Sequence, residues 1–152
     1  MPVTKAVKPI PEGYRTVTPY LVARNLTKLI EFLKQAFGAT EKFRSTGPDG
    51  AIRHAEVQIG DSMVMMAEAR AEFPPMPCAI YLYVNDTDAT YKRALQAGAT
   101  SVMEPADQFY GDRNAGVKDF AGNQWWIGTH IEDVSPDEVA KRAQAAYAKQ
   151  QH

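Results

Sequence analysis

Hydrophobic positions change period along the chain, and the changes predict its elements. Residues 17–23 (VTPYLVA) read as a strand, with Pro19 near its start marking a sheet edge. Leu26, Leu29, Ile30, Leu33 and Phe37 recur at helical spacing, so residues 26–37 predict a helix with Asn25 as N-cap and Gly38 as its stop. Residues 39–45, 51–59 and 62–68 read as strands, broken at Gly47-Pro48-Asp49-Gly50 and at Gly60-Asp61. Residues 71–77 hold Pro74, Pro75 and Pro77 and read as a linker. The same order then begins again. Residues 78–84 (CAIYLYV) predict a strand, and a helix capped by Asn85, Asp86 or Thr87 runs to Ala97 before Gly98. A strand near 101–104 follows, then a long loop holding Tyr110, Asp112 and Arg113. A closing hairpin pairs residues 116–120 with 124–130 across the turn Ala121-Gly122-Asn123.

The repetition extends to particular residues. Gly38-Ala39-Thr40 recurs as Gly98-Ala99-Thr100, and the hairpin turns at Gly60 and Gly122 lie at similar distances downstream. This predicts an α+β fold of two βαβββ modules, residues 17–70 and 78–131, separated by the proline linker. Residues 1–16 carry three prolines and no periodicity, and read as an extended arm. At the other end Ser135, Pro136 and Glu138 form a capping signal for a last, alanine-rich helix within residues 132–152.

Composition narrows the function classes. A chain of 152 residues with 45% hydrophobic content is long enough for a substantial core. The net charge of -1 gives no electrostatic basis for binding nucleic acid or an anionic membrane, and no apolar run is long enough to span one. The single cysteine, Cys78, excludes an internal disulfide and suits a reducing cytoplasm, where the protein is expected to reside. Phosphate loops, dinucleotide fingerprints, CxxC and HExxH are missing.

Candidate chemistry concentrates in strands. Trp125 and Trp126 are adjacent and must point to opposite faces, so one is core and the other faces whatever lies on the second side with Gln124, Gly128 and His130. Trp126 either lines a ligand site or packs in the core. His54 and Glu56 alternate on one strand face, as a base with its orienting carboxylate or as a surface pair. Arg113 is a candidate partner for a ligand carboxylate or phosphate, or a brace for the hairpin.

The run YGDR followed by VKDFAGNQWWIGTHIEDVSP resembles the PhnB-like branch of the glyoxalase/bleomycin-resistance (vicinal oxygen chelate) superfamily, with Phe120 where that branch usually has proline. The resemblance covers residues 18–135. It implies paired modules whose curved mixed sheets form a cup with helices on the convex side, and a homodimer whose cups each take one module from each subunit. It also implies four metal ligands, usually His or Glu, at positions occupied here by Thr18, Met65, Ala79 and Trp126. None of these suits zinc, nickel or iron, so no cofactor is expected. Tyr20, Tyr81 and Tyr83 alternate with those positions, and with Met63, Met65 and Trp126 they predict a cup of aromatic and polarizable side chains suited to a planar or apolar small molecule. The implied function is metal-free small-molecule binding. The alternative is a glyoxalase-like lyase or isomerase, or a dioxygenase, that uses His54, Glu56 or His130 and, in that case only, a divalent metal.

Overall fold

The computed structural model describes residues 6–150. Eight strands and three helices follow in the order β1 (Tyr20–Ala23), α1 (Leu26–Phe37), β2 (Thr40–Thr46), β3 (Ile52–Ile59), β4 (Ser62–Glu68), β5 (Ala79–Tyr83), α2 (Thr87–Gln96), β6 (Thr100–Asp107), β7 (Asp112–Lys118), β8 (Gln124–His130) and α3 (Pro136–Gln150). Two compact units divide the chain, Met1–Lys34 with Gly38–Met76, and Gln35–Phe37 with Pro77–His152.

In the first unit the strand order is β1-β4-β3-β2, with β1 parallel to β4 and the other pairs antiparallel. The second repeats it as β5-β8-β7-β6, again with the first pair parallel. This is the α+β fold of two βαβββ modules that the repeat predicts, as two separate, unclosed sheets. The left-handed glycines Gly38 and Gly98 stand just before β2 and β6, where Gly38 caps α1. Asn25 caps α1 from its own left-handed conformation and accepts a hydrogen bond from Lys28 N, while both oxygens of Glu68 accept from Asn25 N and Leu26 N. A carboxylate of the first sheet therefore sits on the positive end of α1.

Alternation gives each sheet two unlike faces. Leu21, Ala23, Ala55, Val57, Val64 and Met66 are buried on one face of the first sheet, and Leu26, Leu29, Ile30 and Leu33 are buried on α1. In the second unit Ala115, Val117, Trp125 and Ile127 are buried on one face. α2 packs on β6, β7 and β8 there, and its Thr87 donates to Arg113 O.

Three boundaries differ from the sequence expectation. β1 begins at Tyr20 rather than Val17, since the stretch before it lies outside the ladder apart from Pro19 O, which accepts from Met65 N. The long loop of the second module is mostly strand. β6 runs to Asp107 and β7 starts at Asp112, so Asp112 and Arg113 are sheet residues and only a tight turn through left-handed Gly111 remains. The linker also carries structure, because Met76 N donates to Val22 O and forms a bridge along β1. Of the arm, residues 6–16 lack regular structure, and Tyr14 is tied to Glu56; residues 1–5, like His152, lie outside the described residues.

The closing hairpin is organised by Asp119. Its buried carboxylate accepts from Ala121 N, Asn123 N, Asn123 Nδ2 and Trp125 Nε1, and Asn123 Oδ1 in turn accepts from Cys78 N. Of the three turn residues, Gly122 alone has a positive φ. The dense polar motif around the turn is thus scaffold that fixes β8 beside β5.

Candidate functional site

Each sheet turns its second face outward. On the second sheet this face is built from Tyr81 and Tyr83 of β5, Trp126, Gly128 and His130 of β8, and Asp112, Asn114 and Gly116 of β7. Trp125 is fully buried and Trp126 only partly so, as their adjacency requires. Register pairs Trp126 with Gly116, and a Cβ on Gly116 would come within 2.7 Å of the indole ring. A Cβ on Gly128 would likewise approach the Tyr81 hydroxyl to 2.4 Å. The two glycines allow both aromatic rings to lie down across neighbouring strands. The rings therefore pave the face instead of standing upright from it.

A hydrogen-bond network sets the polar end of this floor. Asp112, 4% exposed, accepts from Tyr81 Oη at 2.8 Å and Tyr83 Oη at 2.9 Å through one oxygen, and pairs with His130 Nδ1 at 3.0 Å through the other. His130 Nε2 meets Asp133 at 2.7 Å. Ionised carboxylates only accept, so this setting favours the imidazolium form of His130, in which both ring nitrogens donate. Hydrogen bonding to Asp112, then to Asp133, raises its pKa. Burial works to raise the Asp112 pKa, but bonds from His130, Tyr81 and Tyr83 and the imidazolium charge together leave it below the ordinary carboxylate value. Burial, more than the hydrogen bond to Asp112, pushes the Tyr81 hydroxyl far up, and it stays protonated.

Tyr81 gives its proton to Asp112 and so accepts from Asn114 Nδ2 at 3.1 Å; the same amide donates to Tyr110 Oη at 2.6 Å. Two capacities remain. Asn114 Oδ1 is buried without a partner among the described residues, and the Tyr110 proton has no acceptor there. Tyr81, Met103, Gln108, Tyr110, Asn114 and Trp126 line a cavity of about 340 Å³. An aromatic floor thus meets one unused acceptor and one unused donor.

The open face of the first sheet carries Tyr20, Met65, Glu56 and Phe43 in one cross-strand row, and Ala67 and His54 in the next. His54 Nε2 lies 2.9 Å from Glu56 Oε2, and Tyr14 Oη donates to the other oxygen. Both His54 and Glu56 are half-buried on this open face. Tyr20, Val22, Arg53, His54, Ala67 and Phe73 help line a cavity of about 540 Å³.

Of the candidates read from sequence, Tyr20, Met65, His54 and Glu56 share the first open face, and Tyr81, Tyr83, Trp126 and His130 the second. Arg113 does not join them. It pairs with Thr129 on the face of β7 turned to α2, where Asp88 and Asp107 hold its guanidinium at 2.9 and 3.0 Å. It braces β7 against α2 and β6, whereas the reading from sequence is a brace for the hairpin. The sequence reading missed Asn114, Gly116 and Tyr14. Asp112, Asn114, Gly116 and Lys118 alternate in sequence, a signal hidden by treating the start of β7 as loop.

The donor set at the positions the resemblance assigns to a metal does not fit one. Thr18 donates its hydroxyl to Arg15 O, and Met65, Ala79 and Trp126 offer no imidazole, carboxylate or thiolate. Among the described residues no group of three or more His, Cys, Asp or Glu is placed to hold an ion, and no helix is long and apolar enough to cross a membrane.

Comparison with known proteins gives a consistent picture. Residues 15–127 match the profile described as the Glyoxalase/Bleomycin resistance protein/Dioxygenase superfamily. An uncharacterized protein of Mycobacterium bovis, Mb0911c, is 36% identical over 88% of this chain and 93% of its own; Rv0887c of Mycobacterium tuberculosis, also uncharacterized, is 36% identical over 88% and 83%. Among solved structures, TioX of Micromonospora sp. ML1 superposes with a TM-score of 0.65 at 24% identity, over 75% of this chain and 97% of that one. The fosfomycin resistance protein FosX of Mesorhizobium loti gives 0.58 at 17%, over 82% and 95%. At these identities the structural neighbours speak for the fold alone.

Proposed function

The chain belongs to the Glyoxalase/Bleomycin resistance protein/Dioxygenase superfamily, and from that premise we propose that it is a small-molecule-binding protein of the PhnB-like branch that works without the usual metal centre. The branch reading rests on the Gly111-Asp112-Arg113 run and on residues 129–136, THIEDVSP. The binding reading rests on one observation above the others: Trp126 and Tyr81 lie flat over Gly116 and Gly128, which gives the second sheet an aromatic floor beside an open cavity. Side chains that merely filled a core would not need two glycines beneath them and a vacant space above.

The ligand is a flat molecule that stacks on Trp126, donates one hydrogen bond to Asn114 Oδ1 and accepts one from Tyr110 Oη. The charge near this floor is the Asp112 carboxylate, already neutralised by His130, and Arg113 is held on the other face. The ligand is therefore neutral or cationic. None of the side chains lining the cavity is cationic, so its walls offer a phosphate or carboxylate no ion-pair partner.

Binding of proflavine, a planar cationic dye whose absorbance shifts on stacking, tests this. Aromatic contacts are worth about 0.5–1.5 kcal/mol beyond buried area, so Trp126→Ala is expected to raise the dye's Kd about two- to tenfold with little loss of stability. Trp125→Ala is the control. It removes a fully buried indole and is expected to cost about 3–5 kcal/mol of folding stability. Unchanged dye binding in Trp126→Ala would end the proposal. Elemental analysis of protein purified without chelator is expected to find no near-stoichiometric zinc, nickel, manganese or iron, and finding one would turn the reading toward a metalloenzyme.

A further inference from the structure

The first sheet carries chemistry that the second lacks. Glu56 sits in the middle of its open face, between Met65 of β4 and Phe43 of β2 in register. Both of its oxygens are taken, one by the Tyr14 hydroxyl and one by His54 Nε2 at 2.9 Å. An ionised carboxylate can only accept, so Nε2 carries a hydrogen in either charge state of the ring. The neutral imidazole then has its lone pair on Nδ1, which has no partner among the described residues. Tyr20 and Phe43 flank the ring, with centroids 6.0 and 6.3 Å away. His54 lines the cavity of about 540 Å³, whose walls include Val22, Ala67, Ala69 and Phe73.

Charges around the cavity favour an anion. Glu68 reaches its wall, but both carboxylate oxygens are engaged by the first amides of α1. Arg53 and Arg70 also line it. Their acidic neighbours, Asp49 and Glu72, stand at 3.5 and 3.4 Å, at long range for ion pairs and largely exposed. Both guanidinium groups can therefore exchange those partners for a ligand at small cost.

We propose that this face is a second, independent site, which binds a small weak acid (a phenol or enol on a flat apolar body) as its conjugate base. The ligand O–H bond breaks, its proton bonds to His54 Nδ1, and the electron pair stays on the ligand oxygen. The imidazolium so formed is held by Glu56, and the oxyanion lies in a cavity edged by Arg53 and Arg70. Tyr14 acts as a positioning residue. It holds Glu56 in place and so fixes the His54 ring, which makes the arm before β1 part of the site.

The test uses 4-nitrophenol, whose phenol and phenolate absorb at different wavelengths, in buffer acidic enough that the free probe is mostly protonated. Mixing with the full-length protein is expected to raise the phenolate band saturably. His54→Phe is expected to abolish that rise. Glu56→Gln is expected to weaken it, and Tyr14→Phe to do so to a lesser degree, with thermal melts confirming that each variant is folded. The methyl ether 4-nitroanisole, which has no proton to give, is expected to bind wild type and His54→Phe alike. Saturable binding of 4-nitrophenol without a phenolate band, or no binding at all, overturns the proposal. So does a band that survives His54→Phe but is lost in Trp126→Ala, since the probe would then occupy the second sheet. Failure of the proflavine experiment leaves this outcome untouched, because no residue is shared.

Discussion

His130 shows how much a single side chain here depends on its neighbours. Its imidazole is half-exposed, yet both nitrogens face carboxylates, and bonds to Asp112 and then Asp133 raise its pKa above the ordinary 6.5. A raised folded-state pKa contributes stability that is fully present below 6.5 and is lost as pH climbs through the folded value. Asp112 runs the other way. Its lowered pKa contributes stability above the ordinary 3.8 that is lost as pH falls through the folded value. The pair is therefore most stabilising between those two ordinary values. The difference in Tm between wild type and His130→Gln is expected to be largest near about pH 5 and to shrink as pH rises above 6.5. A difference that is flat across this range would mean the imidazole stays neutral.

At the scale of elements, three neighbouring strands are matched by small residues. β8 contributes Gly128 under Tyr81, and β7 contributes Gly116 under Trp126. Neither glycine has a left-handed φ, so it is close approach and not backbone conformation that requires them. Gly128→Ala places a methyl group 2.4 Å from the Tyr81 hydroxyl, and the ring must lift. Lifting it breaks the bonds from Tyr81 to Asp112 and from Asn114 to Tyr81. The expected loss is about 1–3 kcal/mol, at about 0.5–1.5 kcal/mol for each of the two bonds. Denaturant melts measure it, and dye binding to the aromatic floor should fall in the same variant. A variant as stable as wild type would mean that Tyr81 lies flat for no energetic reason.

At the scale of the whole molecule, the outward faces remain apolar in part: Tyr20, Phe43, Tyr81 and Tyr83 are between 40% and 67% exposed. Faces of this kind favour being covered, and the family resemblance implies that a second copy of the chain covers them. Sedimentation at micromolar concentration is expected to show a dimer, and a purely monomeric species would refute it. The sequence by itself determined the order of elements, the duplicated βαβββ plan and the opposite faces of Trp125 and Trp126. These follow from local rules, namely the periods of 3.6 and 2 and the glycines and caps that punctuate them, and such rules act within a few residues. Tertiary structure alone decided that Arg113 braces α2, that Asp112 gathers two tyrosines and a histidine, that Tyr14 reaches Glu56, and that Gly116 and Gly128 let aromatic rings lie down. Each of these joins side chains from different strands, from a strand and a helix, or from the arm and a strand. Which partners meet there is fixed by strand register and by a shift of a few residues in where β7 begins, and the spacing of residues along one strand carries no record of what lies across from it.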